Sequence, residues 1–422
     1  MKKTIIELFV KYFPYILFVT CLIVYSFIVL VFQDFHLIGD ENRYIRHAQC
    51  IANGIFTPPD NDMWLWNGPG YPLIILPIIE LFDNYITPIR LLNVILLSVS
   101  AVVFYKTLLK INSNRTSIIA SIAFAGYILI WKSLPLIMTE VATIFFLVLI
   151  MFYVVDNNNS WKRVFFLAFL LSFLCMIKIV FGYIFCLMSL LILAYEYFNK
   201  NNEKLKFLRK SLLLCLLFCT PWLTYTYIKS GKIFYWGASG GLNLYWMSNP
   251  SPNELGEYMD FSFESALGVP SAKIGFQKSH GEEINRIINN FKYEKRDDEF
   301  KRVAIKNIKE HPTSFLKNVW CNIGRFFFNY PYSYYPQQPS TLINILINGP
   351  IVGFIILLAI HAILYFRRYP ISIQFILVIT AFYLFINFPL SSLIRMFYVI
   401  IPLLFFWFAF VFDRINFKIE RK

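Results

Sequence analysis

The chain has 422 residues, 58% of them hydrophobic and only 15% charged, with a formal net charge of +14. Repeated apolar runs of spanning length on that composition exclude an ordinary soluble domain and define a polytopic membrane protein. The excess Lys and Arg fall in short clusters between the apolar runs, as cytoplasmic retention of loops requires. A nucleic-acid binder would gather them into one basic face, so no nucleic acid is expected as a partner.

The opening MKKTIIELFVKYFPYILFVTCLIVYSFIVLVF has a charged start but no small-residue cleavage site. Its apolar run is too long for a signal peptide, so it reads as a retained first helix. Apolar spans are predicted near residues 13–32, 88–109, 117–131, 139–155, 162–177, 181–197, 211–228, 343–366, 371–390 and 396–412. Ten crossings make an all-α membrane protein and return the C-terminus to the starting side. The stretch Gly70–Phe82 is too short to cross, holds Pro72 and Pro77, and is expected to dip into the outer leaflet. With that choice Lys2-Lys3-Lys11, Lys106-Lys110-Arg115, Lys162-Arg163, Lys200 to Lys210, Arg367-Arg368 and Arg414 to Lys422 all lie in the cytoplasm.

Two long segments then lie outside, residues 33–87 and Lys229 to Thr341. The chain divides accordingly. Residues 1–228 form an N-terminal transmembrane catalytic module including the outer loop 33–87, residues 229–341 an extracytoplasmic segment with amphipathic helices, and residues 342–422 the last transmembrane helices and a cytoplasmic tail.

The first outer segment carries Asp40-Glu41 within DENRYIRHAQCIANGIF, followed by NGPGYPLIILP. Carboxylates at the mouth of a membrane helix are costly unless they work in a wet cavity. Helical spacing places Tyr44, His47 and Ala48 on one face with Glu41, and Arg43, Arg46 and His47 supply cationic neighbours. A carboxylate near cations keeps its charge and can accept a proton from an attacking hydroxyl. The same pair also reads as a solvated charge at a helix end.

Further along, Glu140 opens an apolar helix beside Thr139, where a carboxylate favours the positive helix N-terminus. Lys178 sits in MIKIVFGYIF between two apolar runs, and Arg395 in NFPLSSLIRMFYVIIPLL, both at expected outer ends. Single cations there often snorkel with no further role. Two carboxylate sites and two cations on one rim, however, are what a lipid-linked phosphate and a hydroxyl nucleophile need.

The second outer segment opens on an expected Gly-rich turn, GASGGLNLYWMSNPSPNE. The helix DDEFKRVAIKNIKE follows, with Phe300, Val303, Ala304 and Ile308 on one face and Lys301, Arg302, Lys306 and Lys309 on the other. His311-Pro312 breaks it, and the Tyr-rich stretch ending FFFNYPYSYYPQQP suits a headgroup-level belt. Of the seven cysteines, Cys21, Cys175, Cys186, Cys215 and Cys219 lie in apolar runs as small packing residues. Cys50 and Cys321 fall outside, their pairing open. No internal repeat is visible, which argues against a secondary transporter.

The order of these features resembles the large GT-C glycosyltransferases, in the branch that holds bacterial homologues of protein O-mannosyltransferases and the lipid A aminoarabinose transferase. The family's early Asp-Glu pair with a following Tyr and Ala is matched by Asp40, Glu41, Tyr44 and Ala48. NGPGYPLIILP is similar to its Pro-rich segment, although the family more often has two adjacent prolines where this chain has Pro69-Gly70. Thr139-Glu140, Gly240-Gly241-Leu242-Asn243 with Asn249-Pro250, the amphipathic helix with His311-Pro312, and Arg395-Met396-Phe397-Tyr398 follow in the family's order.

The resemblance implies an inverting transfer from a polyprenyl-phosphate sugar, undecaprenyl phosphate being the carrier, to an extracytoplasmic glycan or lipid-linked acceptor. Membrane lipids surround the enzyme, in a bacterial inner membrane with the active site facing the periplasm or exterior. It implies Asp40 as base, with Glu41 and Glu140 as the other catalytic carboxylates and Lys178 and Arg395 on the donor phosphate. Arg43, Tyr44, His47, Asn67, Tyr71, Asn243 and Asn249 are the expected substrate contacts. Some relatives use a metal, and Asp40, Glu41 and Glu140 would suit Mg2+ or Mn2+. A surface polysaccharide ligase or polymerase, a lipid-linked glycan flippase or transporter, and a non-catalytic scaffold are the alternatives.

Overall fold

Every fourth residue of the first helix, α1 (Lys2–Phe32), turns inward: Phe13, Leu17, Cys21, Tyr25 and Val29 are buried. The outward residues Tyr15, Val19, Ile23, Phe27 and Leu30 are just as apolar. Such a face against water would cost roughly 25 cal/mol per Å2, so its solvent is lipid. This computed structural model describes residues 2–34, 36, 37, 39–57, 64–198, 202–251, 253–258, 270–333 and 339–419.

After α1 come α2 (Asp40–Ala52), α3 (Gly70–Leu81), α4 (Ile86–Leu108), α5 (Asn114–Ala125), α6 (Ile128–Trp131), α7 (Thr139–Val155), α8 (Trp161–Ile177), α9 (Val180–Phe198), α10 (Glu203–Phe218) and α11 (Thr220–Ser230). The long segment between α11 and the C-terminal helices holds α12 (Gly240–Met247), α13 (Pro270–Asn290), α14 (Tyr293–Glu310) and α15 (Pro312–Phe328). The chain closes with α16 (Ser340–Tyr365), α17 (Ile371–Asn387), α18 (Ile394–Tyr398) and α19 (Ile401–Ile419). α1 lies along α4, α4 along α7, and α8 against α10, which makes the main core; α12 and α14 pair in the long segment.

The chain is thus an all-helical, multi-pass membrane protein. Each of the ten apolar runs read from sequence falls on a helix or a broken helix pair, but fewer are long enough to cross by themselves. Among the described residues five spans pass on length and hydropathy, Val10–Phe32, Ile86–Leu108, Asn114–Trp131, Val180–Phe198 and Ser340–Arg368. A sixth is added if α10 and α11, bent by 42° where Pro221 interrupts the backbone ladder, are one span. α7, α8 and α17 have 17 residues each. At 1.5 Å per residue they reach about 25 Å, short of a hydrocarbon core of about 30 Å.

α3, at 12 residues, is too short to cross. α14 buries Phe300 and Ala304 and exposes Lys301 and Arg302, as its periodicity predicts. It stops at Glu310, and Pro312 takes the first turn of α15, where a missing N–H is harmless. The expected Gly-rich turn is half helix, because Gly240 to Met247 wind into α12. Part of the Tyr-rich stretch, residues 334–338, lies outside the described residues, as do residues 199–201 and 420–422 of the basic clusters.

Candidate functional site

Four separated segments are each pinned so that one charged side chain reaches a common space. α2 starts directly at Asp40, after Gly39 at φ 57°, a left-handed conformation that glycine tolerates. The strand of chain before α3 runs over the end of α8: a Cβ on Gly68 or Gly70 would strike the backbone of Met176 or Ile177. Those glycines let the chain pass close over the end of α8, and Asn67 lines the same cavity as Lys178.

The turn that delivers Glu140 is held from two sides. Asn93 of α4 donates to the carbonyls of Leu134 (3.1 Å) and Leu136 (2.8 Å), and Glu41 accepts the Ile137 amide at 2.8 Å. The loop that delivers Arg395 hangs on Asn322 of α15. Its amide donates to Asn387 (3.0 Å), Phe388 (2.9 Å) and Leu390 (2.7 Å) carbonyls and its oxygen accepts from the Ser392 amide.

The result is a cavity of about 220 Å3 whose lining includes Asp40, Arg43, Tyr44, Asn67, Glu140, Lys178, Asn243 and Arg395. Arg395 is its hub. Its Nη2 donates to Asp40 Oδ2 at 2.5 Å, and its Nε lies 3.8 Å from Glu140 Oε1. Arg43 donates to the other Asp40 oxygen at 2.8 Å, and Lys178 Nζ is 3.6 Å from Glu140. Glu140 Oε2 and Arg395 Nε are buried and have no hydrogen-bond partner among the described residues. Buried groups left in that state are expensive unless a substrate or water completes them.

Burial by itself would raise the Asp40 pKa; the guanidiniums of Arg395 and Arg43 outweigh it and hold the carboxyl below its usual range. Burial pulls Lys178 below the ordinary lysine value against the opposing pull of Glu140. Three cations, Arg43, Lys178 and Arg395, face two carboxylates, so the lining carries one net positive charge. That balance attracts an anion.

Four expected site residues do not line the cavity. Glu41 turns the other way, fully buried with its Oε1 3.5 Å from Arg90 Nη2; successive helix residues point about 100° apart, so the two acids of the pair cannot share a direction. His47 is buried against the Phe56 carbonyl at 2.7 Å, and Tyr71 packs edge-on to Tyr44 at 5.1 Å between ring centres. Asn249 lines a different cavity. Asp40, Glu41 and Glu140 therefore do not converge as a metal set. Asp40 and Glu140 are already bridged by Arg395, and the surplus positive charge opposes a divalent cation.

Sequence reading missed Trp66, whose ring lies 5.2 Å from the Arg43 guanidinium, and Tyr258, Ser239 and Ser391 in the lining. Trp66 adjoins Asn67 and was within reach of the motif; nothing in the sequence singles out the others. Also missed was the convergence of Cys175, Cys215 and Cys219, which are buried as packing residues but have their sulfurs within 4.8 Å of one another. Asp297 of α14 caps α12, accepting the Gly241 amide at 2.7 Å, and a Cβ on Gly241 would collide with the Asp297 carbonyl. That contact orients the helix bearing Asn243. The chain matches no known protein-family model and no curated protein sequence.

Proposed function

We propose that this chain is a membrane glycosyltransferase of GT-C type that moves one sugar from a polyprenyl phosphate to a glycan or lipid-linked acceptor outside the cytoplasm. The observation that carries the reading is the meeting of Asp40, Glu140, Lys178 and Arg395, from four distant stretches of chain, around one cavity with surplus positive charge. The ten-crossing topology belongs to the same proposal, with both long segments outside a bacterial inner membrane and the basic clusters inside.

The donor phosphate enters between Lys178 and Arg395. It competes for the cations that hold Asp40 and Glu140, so the counter-charge on Asp40 weakens and its basicity rises as the donor seats. The acceptor hydroxyl then attacks the anomeric carbon from the face opposite the phosphate. Its proton passes to Asp40, the anomeric carbon–oxygen bond breaks, and the electron pair leaves with the polyprenyl phosphate, inverting the centre. Lys178 and Arg395 stabilise the charge that develops on that leaving group, which is where preorganised cations gain most. Glu140 holds both cations in place. Glu41 acts at one remove, through the turn it anchors.

The test is transfer from a synthetic polyprenyl-phosphate sugar by the purified chain in lipid vesicles, read as release of free polyprenyl phosphate. Asp40→Asn, which keeps the shape of the side chain, is expected to reduce release by about 100-fold or more, the usual worth of a positioned base, with unchanged abundance. A fully active Asp40→Asn chain removes Asp40 from the chemistry.

A further inference from the structure

The outer segment builds a second and larger cavity, of about 660 Å3, inside the usual range for small-molecule sites. Its walls are α13, α14 and the loop after α12. Glu283 and Arg286 from α13, and Arg302 and Lys306 from α14, recur at three- or four-residue spacing, so one face of each helix looks into the space.

The back wall is rigid and polar. His280 is buried with both ring nitrogens engaged: the Tyr245 hydroxyl donates to Nδ1 at 2.8 Å and Nε2 donates to Glu254, with the Asn249 side chain packed against the same edge. The Trp246 ring lies 5.1 Å from the imidazole. A network satisfied in this way holds its groups in place before any ligand arrives.

Charge decides the kind of ligand. Arg286, Arg302 and Lys306 line the cavity against a single lining carboxylate, Glu283. The acids that balance them, Glu254 against His280 and Glu299 at 2.9 Å from Arg302, are outside the lining. Lys306 has no ion-pair partner among the described residues. A volume of this size takes two or three sugar rings, and amides, an aromatic ring and fixed cations are what hydroxyl and carboxylate groups on such rings need.

We infer that the cavity between α13 and α14 is a binding subsite for an acidic oligosaccharide, the anionic segment of the acceptor. Only the word acceptor rests on the proposed transfer reaction; binding at the cavity does not require it.

The experiment is a calorimetric titration of the full chain in phosphatidylcholine nanodiscs with a trigalacturonide, with the neutral trisaccharide maltotriose as its length-matched control. The trigalacturonide is expected to bind, more weakly as salt rises, and maltotriose at least tenfold less tightly. Arg302→Ala with Lys306→Ala is expected to weaken the acidic sugar about tenfold or more, and Lys306→Glu to do the same by charge reversal. Equal affinity for maltotriose, or unchanged binding in both variants, overturns the assignment. Displacement by an equal concentration of soluble short-chain phosphatidylglycerol also overturns it, by making the cavity a headgroup site. Asp40→Asn is expected to bind the trigalacturonide normally, whereas a wild-type chain that binds it but releases no polyprenyl phosphate in the transfer assay breaks the transferase reading and leaves the subsite standing.

Discussion

The two polar cavities are assembled in opposite ways. The one around Arg395 draws its charges from α2, α7, the α8–α9 turn and α18; Asp40, Glu140, Lys178 and Arg395 are each held by a charge from a distant part of the chain, while Arg43 pairs locally with Asp40. The one between α13 and α14 takes its charges from two neighbouring helices, and its ion pairs are mostly local, Arg286 with Glu283 and Arg302 with Glu299, three residues apart. The difference follows from burial. Where a charge is buried a lone one is too costly, so carboxylates and cations must arrive together; between exposed helix faces a surplus of one sign persists. The first arrangement suits a reaction in which partners exchange, the second suits docking.

Mutations should separate the two regimes. The largest effect belongs to Arg90→Met, which removes the guanidinium beside the wholly buried Glu41 that anchors the Glu140 turn. A loss of about 3–5 kcal/mol is expected, the usual cost of breaking a buried pair from one side, seen as a sharp drop in the melting temperature of the detergent-solubilised chain. A melt within about 0.5 kcal/mol of wild type, typical of surface changes, would make the pair dispensable.

Next in size is the cap that joins the two cavities. Burial, aided by Asp298, pushes Asp297 up to about 6 from its ordinary 3.8, against the amides of Gly241 and Leu242 and the charge of Lys232. The folded chain therefore keeps a proton there that the unfolded chain releases between pH 4 and 6. Stability from this group is greatest below pH 4 and is lost as pH rises through about 6. Two units correspond to roughly 3 kcal/mol at most. Melting curves across that window should flatten in Asp297→Asn; an unchanged slope would assign the pH dependence elsewhere. The smallest effect is expected at Arg302→Ala, within about 0.5 kcal/mol in stability because its partner Glu299 is three residues away at the surface.

Much of this architecture was legible in the chain. Apolar runs became helices because each backbone group must be satisfied within its own segment in lipid. Asp40, Glu140, Lys178 and Arg395 stood out because two carboxylate sites and two cations shared one expected rim, although a single charge at a span end is common. What could not be read is rotation and long-range approach. Asp40 and Glu41 are adjacent, yet one faces the cavity and the other faces α4, a choice made by how α2 rolls on α3. Asn249 is six residues from Asn243 but lies beyond the end of α12, so it serves the other cavity. Of the three clustered thiols Cys215 and Cys219 are four residues apart, but Cys175 lies 40 residues before Cys215, and no local spacing announces that approach. The short apolar helices α7, α8 and α17 have 17 residues each, and hydropathy does not distinguish their runs from those of the longer helices.

The most direct measurement is equilibrium binding of polyprenyl phosphate to the purified chain in vesicles, followed by phosphorus NMR, for wild type, Lys178→Met and Arg395→Met. If these two cations seat the phosphate, each variant should bind at least about tenfold more weakly, the typical cost of losing a charge-assisted contact, while Asp40→Asn binds as well as wild type or better because a competing carboxylate is gone. Unchanged binding in both cation variants would contradict the assignment of this cavity to a lipid-linked phosphate.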